Sequence, residues 1–209
     1  MTTAYSTLAL AMKYTASYTP DFSTRDAHPG VNPLFPERWS PRSFSGEPIA
    51  AGDLAVIFDA ARWAPSAYNE QPWRILTSTP ETFDTFLGLL VEPNQKWAKS
   101  ASLLGFILAR RNFTHNGAPN DWAVFDCGAA WVSFTLQASS LGLHTHCMAG
   151  IKKDDVYKAF AISREEFEVV AGFAMGVLAA REKLEKPYID WEKPSPRKSL
   201  DEIWKRGAW

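Results

Sequence analysis

The chain has 209 residues and a formal net charge of −1, and 46% of its residues are hydrophobic. This balance lacks the basic surface that binding to nucleic acid or to an anionic membrane requires, so neither partner is expected. Nine tryptophans and an aromatic content of 13% suit a packed core, or a site that holds flat rings.

Residues 1–37 are predicted to form an irregular N-terminal extension ahead of one domain that spans residues 38–209. The stretch TPDFSTRDAHPGVNPLFPER is rich in Pro, Asp, Ser and Gly, which favour turns over regular elements. No basic region precedes the first apolar residues, and no clear cleavage site follows them. The apolar runs are too short or too interrupted to cross a bilayer, so we expect a soluble, cytoplasmic protein.

From residue 48 onward, helical and strand patterns alternate. The segment PIAAGDLAVIFDAARWA places Leu54, Ile57, Phe58 and Ala61 at helical spacing, and WRILTS then predicts a strand. PETFDTFLGLL predicts a helix with Pro80 in its first turn. ASLLGFILARR is an apolar run of strand length, which predicts a strand covered on both faces.

The second half continues this alternation after a polar connector, NFTHNGAPND. WAVFDCGAAWVSFTLQASSLGL predicts a central helix that is buried all round, because it has little polar face, and Gly142 marks its end. A short strand or loop (HTHCMAG), a small helix (KKDDVYKAFAIS) and a strand covered on both sides (FEVVAGFAMGVLA) follow. These elements predict one α+β domain.

The C-terminal tail is rich in proline and charge, yet it carries Tyr188, Trp191, Trp204 and Trp209. We therefore expect the tail to dock on a protein surface. The two cysteines form no CxxC pair, which predicts two buried, reduced thiols rather than a disulfide. The two histidines of HTH would share one strand face but lack a third ligand, so no metal site is expected.

Four segments carry side chains that suit ligand binding. RWSPRSF sets Arg38 and Arg42 around Ser40, which suits an oxyanion or phosphate, although a solvated arginine pair beside a serine turn is the alternative. In APSAYNEQPW, Asn69 and Gln71 offer paired donors and acceptors, or simply form turns. HCMAGI is consistent with a turn that a ligand approaches closely at Gly150, or with an ordinary tight turn. PSPRK carries the basic pair Arg197 and Lys198, for which a solvated surface is the alternative.

The sequence contains no GxGxxG, Walker, GxSxG or HExxH motif and no evident acid–base pair. A site without a nucleophile points to a cofactor that carries the chemistry itself.

Taken in order, these segments resemble the nitroreductase family of flavin enzymes. The matching stretches, between about residues 36 and 205, are RWSPRSF, APSAYNEQPWRIL, NQKWAKSASLLGFIL, DCGAAWVSFTLQASSLGLHTHCMAGI and PRKSLDEIW. The resemblance implies an α+β fold with a mainly antiparallel sheet flanked by helices, in an intertwined homodimer with an extended C-terminal segment. It also implies FMN, held non-covalently between the subunits, with NADH or NADPH as the electron donor.

The resemblance further implies which residues bind the cofactor, and it implies no catalytic side chain, because flavin N5 carries the hydride. Residues from both subunits would take part. The implied cofactor-binding residues are Arg38, Trp39, Ser40, Arg42, Arg197 and Lys198 toward the phosphate and pyrimidine, Pro65, Ser66, Ala67, Asn69 and Gln71 in a loop from the partner, Asn94 at the pyrimidine edge, and Met148, Ala149 and Gly150 along the ring. Phe113 and Trp122 of the connector are the candidate substrate-pocket residues.

The implied activity is NAD(P)H-dependent reduction of a planar electrophile such as a nitroaromatic, a quinone or an activated alkene. The substrate itself is not inherited, because Ala149, Lys152 and Ser199 depart from residues common in the family. Three alternatives remain: a flavin enzyme with one dedicated metabolite, acting by reductive dehalogenation or dehydrogenation; a non-catalytic FMN-binding module; and a flavin-free interaction domain.

Overall fold

A four-stranded antiparallel sheet organises the protein in the computed structural model, which describes residues 12–208. Its strands are β1 (Trp73–Thr77), β2 (Leu103–Arg110), β3 (Leu143–Met148) and β4 (Phe167–Val177), in the spatial order β1–β2–β4–β3. The two central strands are the two long apolar runs of the sequence. Strand β2 is buried along almost its whole length, as its composition predicts.

The helices are α1 (Leu34–Glu37), α2 (Ala51–Arg62), α3 (Phe83–Gly88), α4 (Glu92–Ala98), α5 (Ala123–Ser140), α6 (Lys153–Ala159), α7 (Tyr188–Trp191) and α8 (Leu200–Ile203). Short 3-10 turns form at Ala67–Asn69 and at Arg181–Lys183. Within residues 12–208, no helix has both the length and the apolar character needed to cross a membrane.

Helices cover both faces of the sheet, which gives the protein two apolar cores. On one face, Ile57 of α2 and Phe134 of α5 pack against Phe173 of β4. On the other face, Phe86 and Trp97 pack against strand residues and against α6. Alternate residues of one strand point to opposite faces, so β2 and β4 serve both cores. The predicted α+β architecture with a mainly antiparallel sheet is confirmed.

Helix α3 begins later than predicted. Pro80 lies in the preceding turn, not in the first turn of the helix, because the backbone N–H of Thr79 donates to the Thr82 hydroxyl at 2.8 Å. The Thr82 N–H in turn donates to the carbonyl of Thr79 at 3.2 Å. These two bonds close a turn, and the helix then starts at Phe83.

Helix α5 is buried on one face only, so the prediction of a helix buried all round is wrong for the single chain. Phe134 is fully buried against the sheet, whereas Val124, Phe125 and Val132 are 46%, 71% and 46% exposed. Only the inner face meets α2 and the strands. The prediction of two buried thiols is also half wrong, because Cys147 on the edge strand β3 is exposed.

The predicted docking of the tail is met at Tyr188. The Tyr188 side chain is buried, and its hydroxyl donates to the carbonyl of Pro93 at 2.7 Å. Trp191 and Trp204 are 55% and 57% exposed in the single chain, so for these two side chains docking stays a prediction. Trp209 lies outside the described residues.

The described part of the N-terminal segment is fastened to the domain at Tyr14. Its backbone N–H donates to the carbonyl of Leu141 at 2.9 Å, and its hydroxyl donates to Asp53 at 2.6 Å while accepting the N–H of Ala50 at 3.0 Å. The ring is buried between the end of α5 and the start of α2. The segment is therefore anchored to the domain at Tyr14, while most of residues 15–33 are exposed.

Gly142 makes that docking possible, and replacing it should destabilise the fold. Its φ is +88°, a region that side chains disfavour, and an added Cβ would overlap the carbonyl oxygen of Tyr14. We expect Gly142→Ala to lower the free energy of unfolding by about 2 kcal/mol. Urea denaturation measures this loss. Gly52→Ala is the matched control, since the space around Gly52 is open and alanine is the better helix former. Equal stability of the two variants would contradict the docking argument.

Candidate functional site

Five of the residues predicted toward the phosphate and pyrimidine, Arg38, Trp39, Ser40, Arg42 and Arg197, line one cavity of about 240 Å³. The two arginine segments are far apart in sequence and meet beside His146 of β3. Other residues that line the cavity are Arg25, Trp191, Lys193 and Ser195. Within residues 12–208, no carboxylate side chain lines it, so the cavity carries a large excess of positive charge.

The cavity has the electrostatics of an anion site. Burial lowers the pKa of Arg38, and the neighbouring charge of Arg197 lowers it further. Burial likewise lowers the pKa of Arg25, with Arg197 and Arg38 adding to the effect. Arg38 Nη1 also donates to the Ser40 hydroxyl at 3.2 Å, which orients the guanidinium. Guanidiniums that repel one another in a partly desolvated cavity are stabilised when an anion enters.

Glu192, which the sequence did not suggest, holds the arginine segment in place. Its buried carboxylate accepts the backbone N–H of Arg42 at 2.9 Å and that of Ser43 at 2.8 Å. Burial raises the pKa of Glu192, while these hydrogen bonds and the Arg42 charge act in the opposite direction. Because its oxygens are turned toward the backbone, Glu192 fixes the loop that carries Arg42 without lining the cavity.

Two histidines stand beside the cavity in neutral form. Burial lowers the pKa of His144 to about 4, helped by the charge of Arg38. Burial also lowers the pKa of His146 to about 4. His146 Nδ1 lies 2.9 Å from the carbonyl oxygen of Pro41, which can only accept, so Nδ1 carries the proton. Neither histidine adds charge at pH 7, and the cavity's charge comes from its arginines and Lys193.

Met148, Ala149 and Gly150, which were predicted to lie along the ring, occupy the end of β3 and the turn that follows it. Met148 is buried and Ala149 is exposed. The Gly150 carbonyl accepts the Asn94 side-chain amide at 3.0 Å, and an added Cβ at Gly150 would come within 2.6 Å of that nitrogen. A larger residue at this position would displace the Asn94 amide and the Val91 side chain. In this chain the Asn94 amide therefore stabilises the turn through its hydrogen bond to Gly150.

The predicted bracing loop, with Pro65, Ser66, Ala67, Asn69 and Gln71, lies elsewhere. The Gln71 N–H donates to the Ser66 hydroxyl at 2.9 Å, and the Gln71 amide donates to the Asn69 carbonyl at 2.9 Å. The Ala67 N–H donates to the buried carboxylate of Asp126 in α5 at 3.1 Å. These bonds hold positive φ angles near +50° at Asn69 and Gln71.

This loop and the arginine cavity sit at opposite edges of the sheet. The loop leads into β1, whereas His146 and the turn after it belong to β3, and β2 and β4 lie between. Three strand spacings correspond to about 14 Å across the sheet. One chain therefore does not bring its loop to its own cavity, and none of the loop residues lines it.

The candidate substrate-pocket residues are also separate from each other. Phe113 packs edge-on against Tyr68 of the bracing loop, with ring centroids 5.6 Å apart. Trp122 is 58% exposed and packs on Phe125 of α5. The connector joins the loop through Glu70, which accepts the N–H of Thr114 at 2.8 Å. Lys198, predicted at the phosphate, is exposed and does not line the cavity.

A second, larger cavity of about 560 Å³ lies on the other side of Arg38. Its walls are mostly apolar residues of the N-terminal segment, including Tyr14, Tyr18 and Phe22. Arg38 and Glu37 are the only charged side chains among the described residues that line it. Its charge is balanced, so the anion-binding character belongs to the smaller cavity.

The chain is similar to known proteins in sequence and in fold. The family model described as "Nitroreductase family" matches residues 36–89 and 78–177. A solved structure described as an oxidoreductase containing FMN is 42% identical, covers 88% of this chain and 96% of its own, and superposes with a TM-score of 0.85.

More distant relatives share the same fold. A nitroreductase family protein from Streptococcus pneumoniae TIGR4 is 18% identical, with 83% of this chain and 98% of that chain covered and a TM-score of 0.67. A Streptomyces coelicolor protein, provisionally named NADH dehydrogenase/NAD(P)H nitroreductase SCO5049, is 26% identical over 148 residues, which are 61% of this chain and 75% of the relative. With the family model matched over most of the domain, this chain belongs to the nitroreductase family.

Proposed function

We propose that the protein is an FMN-dependent oxidoreductase that uses NADH or NADPH to reduce planar electrophiles. The observation that carries this proposal is the convergence of Arg38, Ser40, Arg42 and Arg197 on one cavity without a lining carboxylate among residues 12–208. The 42% identical structure is described as containing FMN, which supports the same cofactor here. Residues 38–209 would form the FMN-binding domain.

The residues fit a phosphate monoester in particular. A cavity of about 240 Å³ is smaller than the 300–1,000 Å³ of pockets that enclose a whole drug-sized ligand. It suits the charged end of a longer molecule, whose remainder would extend along the turn at Met148–Gly150. Arg38 and Arg197 would bind phosphate oxygens, because guanidiniums form paired, charge-assisted hydrogen bonds with them. The Ser40 hydroxyl would add a neutral donor.

The separation of the loop and the cavity supports a homodimer. In a two-fold dimer, the loop at one edge of a chain's sheet can reach the cavity at the opposite edge of its partner's sheet. The exposed apolar residues of α2 and α5, including Val56, Trp63, Phe125 and Val132, offer a surface for that pairing. Pro65, Ser66 and Ala67 would then face a cofactor bound by the other chain.

When bound, FMN supplies two-electron redox chemistry, taking a hydride from a nicotinamide and passing it to an acceptor. The protein's contribution is position and charge. Arginines oppose the negative charge of the phosphate, and Arg42 would oppose charge at the pyrimidine end. The backbone around Ala149 and Gly150 would line the ring edge. A flat acceptor such as a nitroaromatic, a quinone or an activated alkene would occupy the space left beside the flavin ring.

A visible spectrum of the purified protein tests the proposal directly. We expect a yellow protein whose flavin absorbance is bleached when NADH or NADPH is added without oxygen, and recovers when a quinone or nitroaromatic follows. Bound FMN that is not bleached would identify a flavin-binding module without this activity. Bleaching that only one metabolite reverses would indicate a dedicated reductase. A protein that stays colourless after FMN is added would overturn the proposal.

A further inference from the structure

Arg25 belongs to the N-terminal segment, outside the matched family region and outside the predicted site, yet it lines the arginine cavity. Its Nε donates to the carbonyl of Ser195 at 3.1 Å, which lies 170 residues away in the tail. Its Nη1 donates to the carbonyls of Pro36 and Arg38. One side chain thus ties together the N-terminal segment, the arginine segment and the tail.

These bonds leave part of the guanidinium without a partner. Arginine has five N–H groups, and three of those on Arg25 are directed at carbonyl oxygens. Within residues 12–208, neither hydrogen bond nor ion pair involves its Nη2, and none of the ion pairs includes Arg25. Three carbonyls therefore fix the plane of the guanidinium, and the two N–H groups of Nη2 stay available. They diverge from one nitrogen, so each can donate a charge-assisted hydrogen bond to an oxygen of an anion in the cavity.

We propose that Arg25 is a third cation of the phosphate site and that it makes the protein select phosphorylated flavin over riboflavin. This inference rests on the proposed function. The charges of Arg38 and Arg197 both act on Arg25, so the three guanidiniums share one region of space. A dianionic phosphate would relieve their mutual repulsion, whereas riboflavin, which has no phosphate, would leave it in place.

Titration of the purified protein, stripped of flavin, with FMN and with riboflavin tests the proposal by flavin fluorescence. We expect Arg25→Met to weaken FMN binding by about 10- to 100-fold and to leave riboflavin binding within about twofold, since a hydrogen bond to a charged group has that worth. Arg25→Lys keeps the charge but loses the planar guanidinium that the three carbonyls orient, and should fall between Arg25→Met and the wild type. Added salt should weaken FMN binding less in Arg25→Met than in the wild type.

Arg164→Met is the matched control, because it also removes one positive charge but lies beside Tyr157 and Asp154, away from the cavity. It should bind both flavins as the wild type does. Equal weakening of FMN and riboflavin in Arg25→Met would mean that Arg25 only holds the wall together, and would overturn the inference. An unchanged preference for FMN would overturn it as well. If the wild type binds neither flavin, the proposed function fails first, which is a different result.

Discussion

Replacing Arg38 and Arg197 together with alanine should release FMN from a chain that remains folded. Each arginine is expected to make charge-assisted hydrogen bonds with the phosphate. Losing both sets of bonds should raise the dissociation constant of FMN by about 100- to 10,000-fold. Either single variant should retain about a tenth to a hundredth of the affinity. The dissociation constant is measured by flavin fluorescence, and folding by far-UV circular dichroism.

The fold should survive because neither arginine supports the core. Arg197 is exposed and donates only to the nearby carbonyls of Ser195 and Pro196. The Arg38 side chain donates to the Ser40 hydroxyl, and among residues 12–208 it belongs to none of the ion pairs. A double variant of Arg111 and Arg164, which removes the same charge elsewhere, is the control and should retain FMN. Full FMN retention in the Arg38/Arg197 double variant would refute the site assignment.

Hydrophobic pattern was sufficient to predict the two central strands, whereas HTHCMAG, where β3 forms, was predicted only as a short strand or loop. Both central strands are continuous apolar runs, and β2 is buried on both faces as such a run requires. The errors concern surfaces. Helix α5 has the composition of a fully buried helix, yet Val132 and Phe125 face outward. An apolar residue that meets a partner chain and one that meets the core look the same in a sequence.

The site was predictable only in part, for a related reason. The spacing of Arg38, Ser40 and Arg42 is local and could be found from the sequence. Arg25 and Glu192 act over long separations, since Arg25 meets Ser195 only through tertiary packing. No local pattern marks such residues. Resemblance supplied the loop at residues 65–71, but the chain's own fold keeps that loop away from the cavity.

His144 and His146 should make stability depend strongly on pH. Both have a pKa lowered to about 4 in the folded chain, primarily by burial, against about 6.5 when exposed. Between these values the unfolded chain binds the proton and the folded chain does not. The free energy of unfolding therefore falls as the pH is lowered from about 6.5 toward 4, and the stabilisation is complete above pH 6.5.

The expected loss is about 3 kcal/mol per histidine over that range, which is a large share of the 5–15 kcal/mol that holds a typical domain together. Urea denaturation at a series of pH values between 7 and 4 measures it. His144→Phe keeps an aromatic ring against Trp39 and removes the titration, and His146→Gln retains a donor for the Pro41 carbonyl. At pH 7 the free energy of unfolding of each variant should be no higher than that of the wild type. As the pH is lowered, it should fall less steeply than in the wild type.

The control is His28→Gln, since His28 is exposed and its removal should leave the slope of the wild type unchanged. Carboxylates also titrate near the lower end of this range. The contribution of the histidines is therefore the difference in slope between variant and wild type, not the slope of either protein alone. Parallel curves for the wild type and both buried-histidine variants would mean that these rings take up protons in the folded state as easily as in water. Since burial is the main cause of both lowered pKa values, that result would mean that water reaches these rings more freely than their packing against Trp39 and Trp97 indicates.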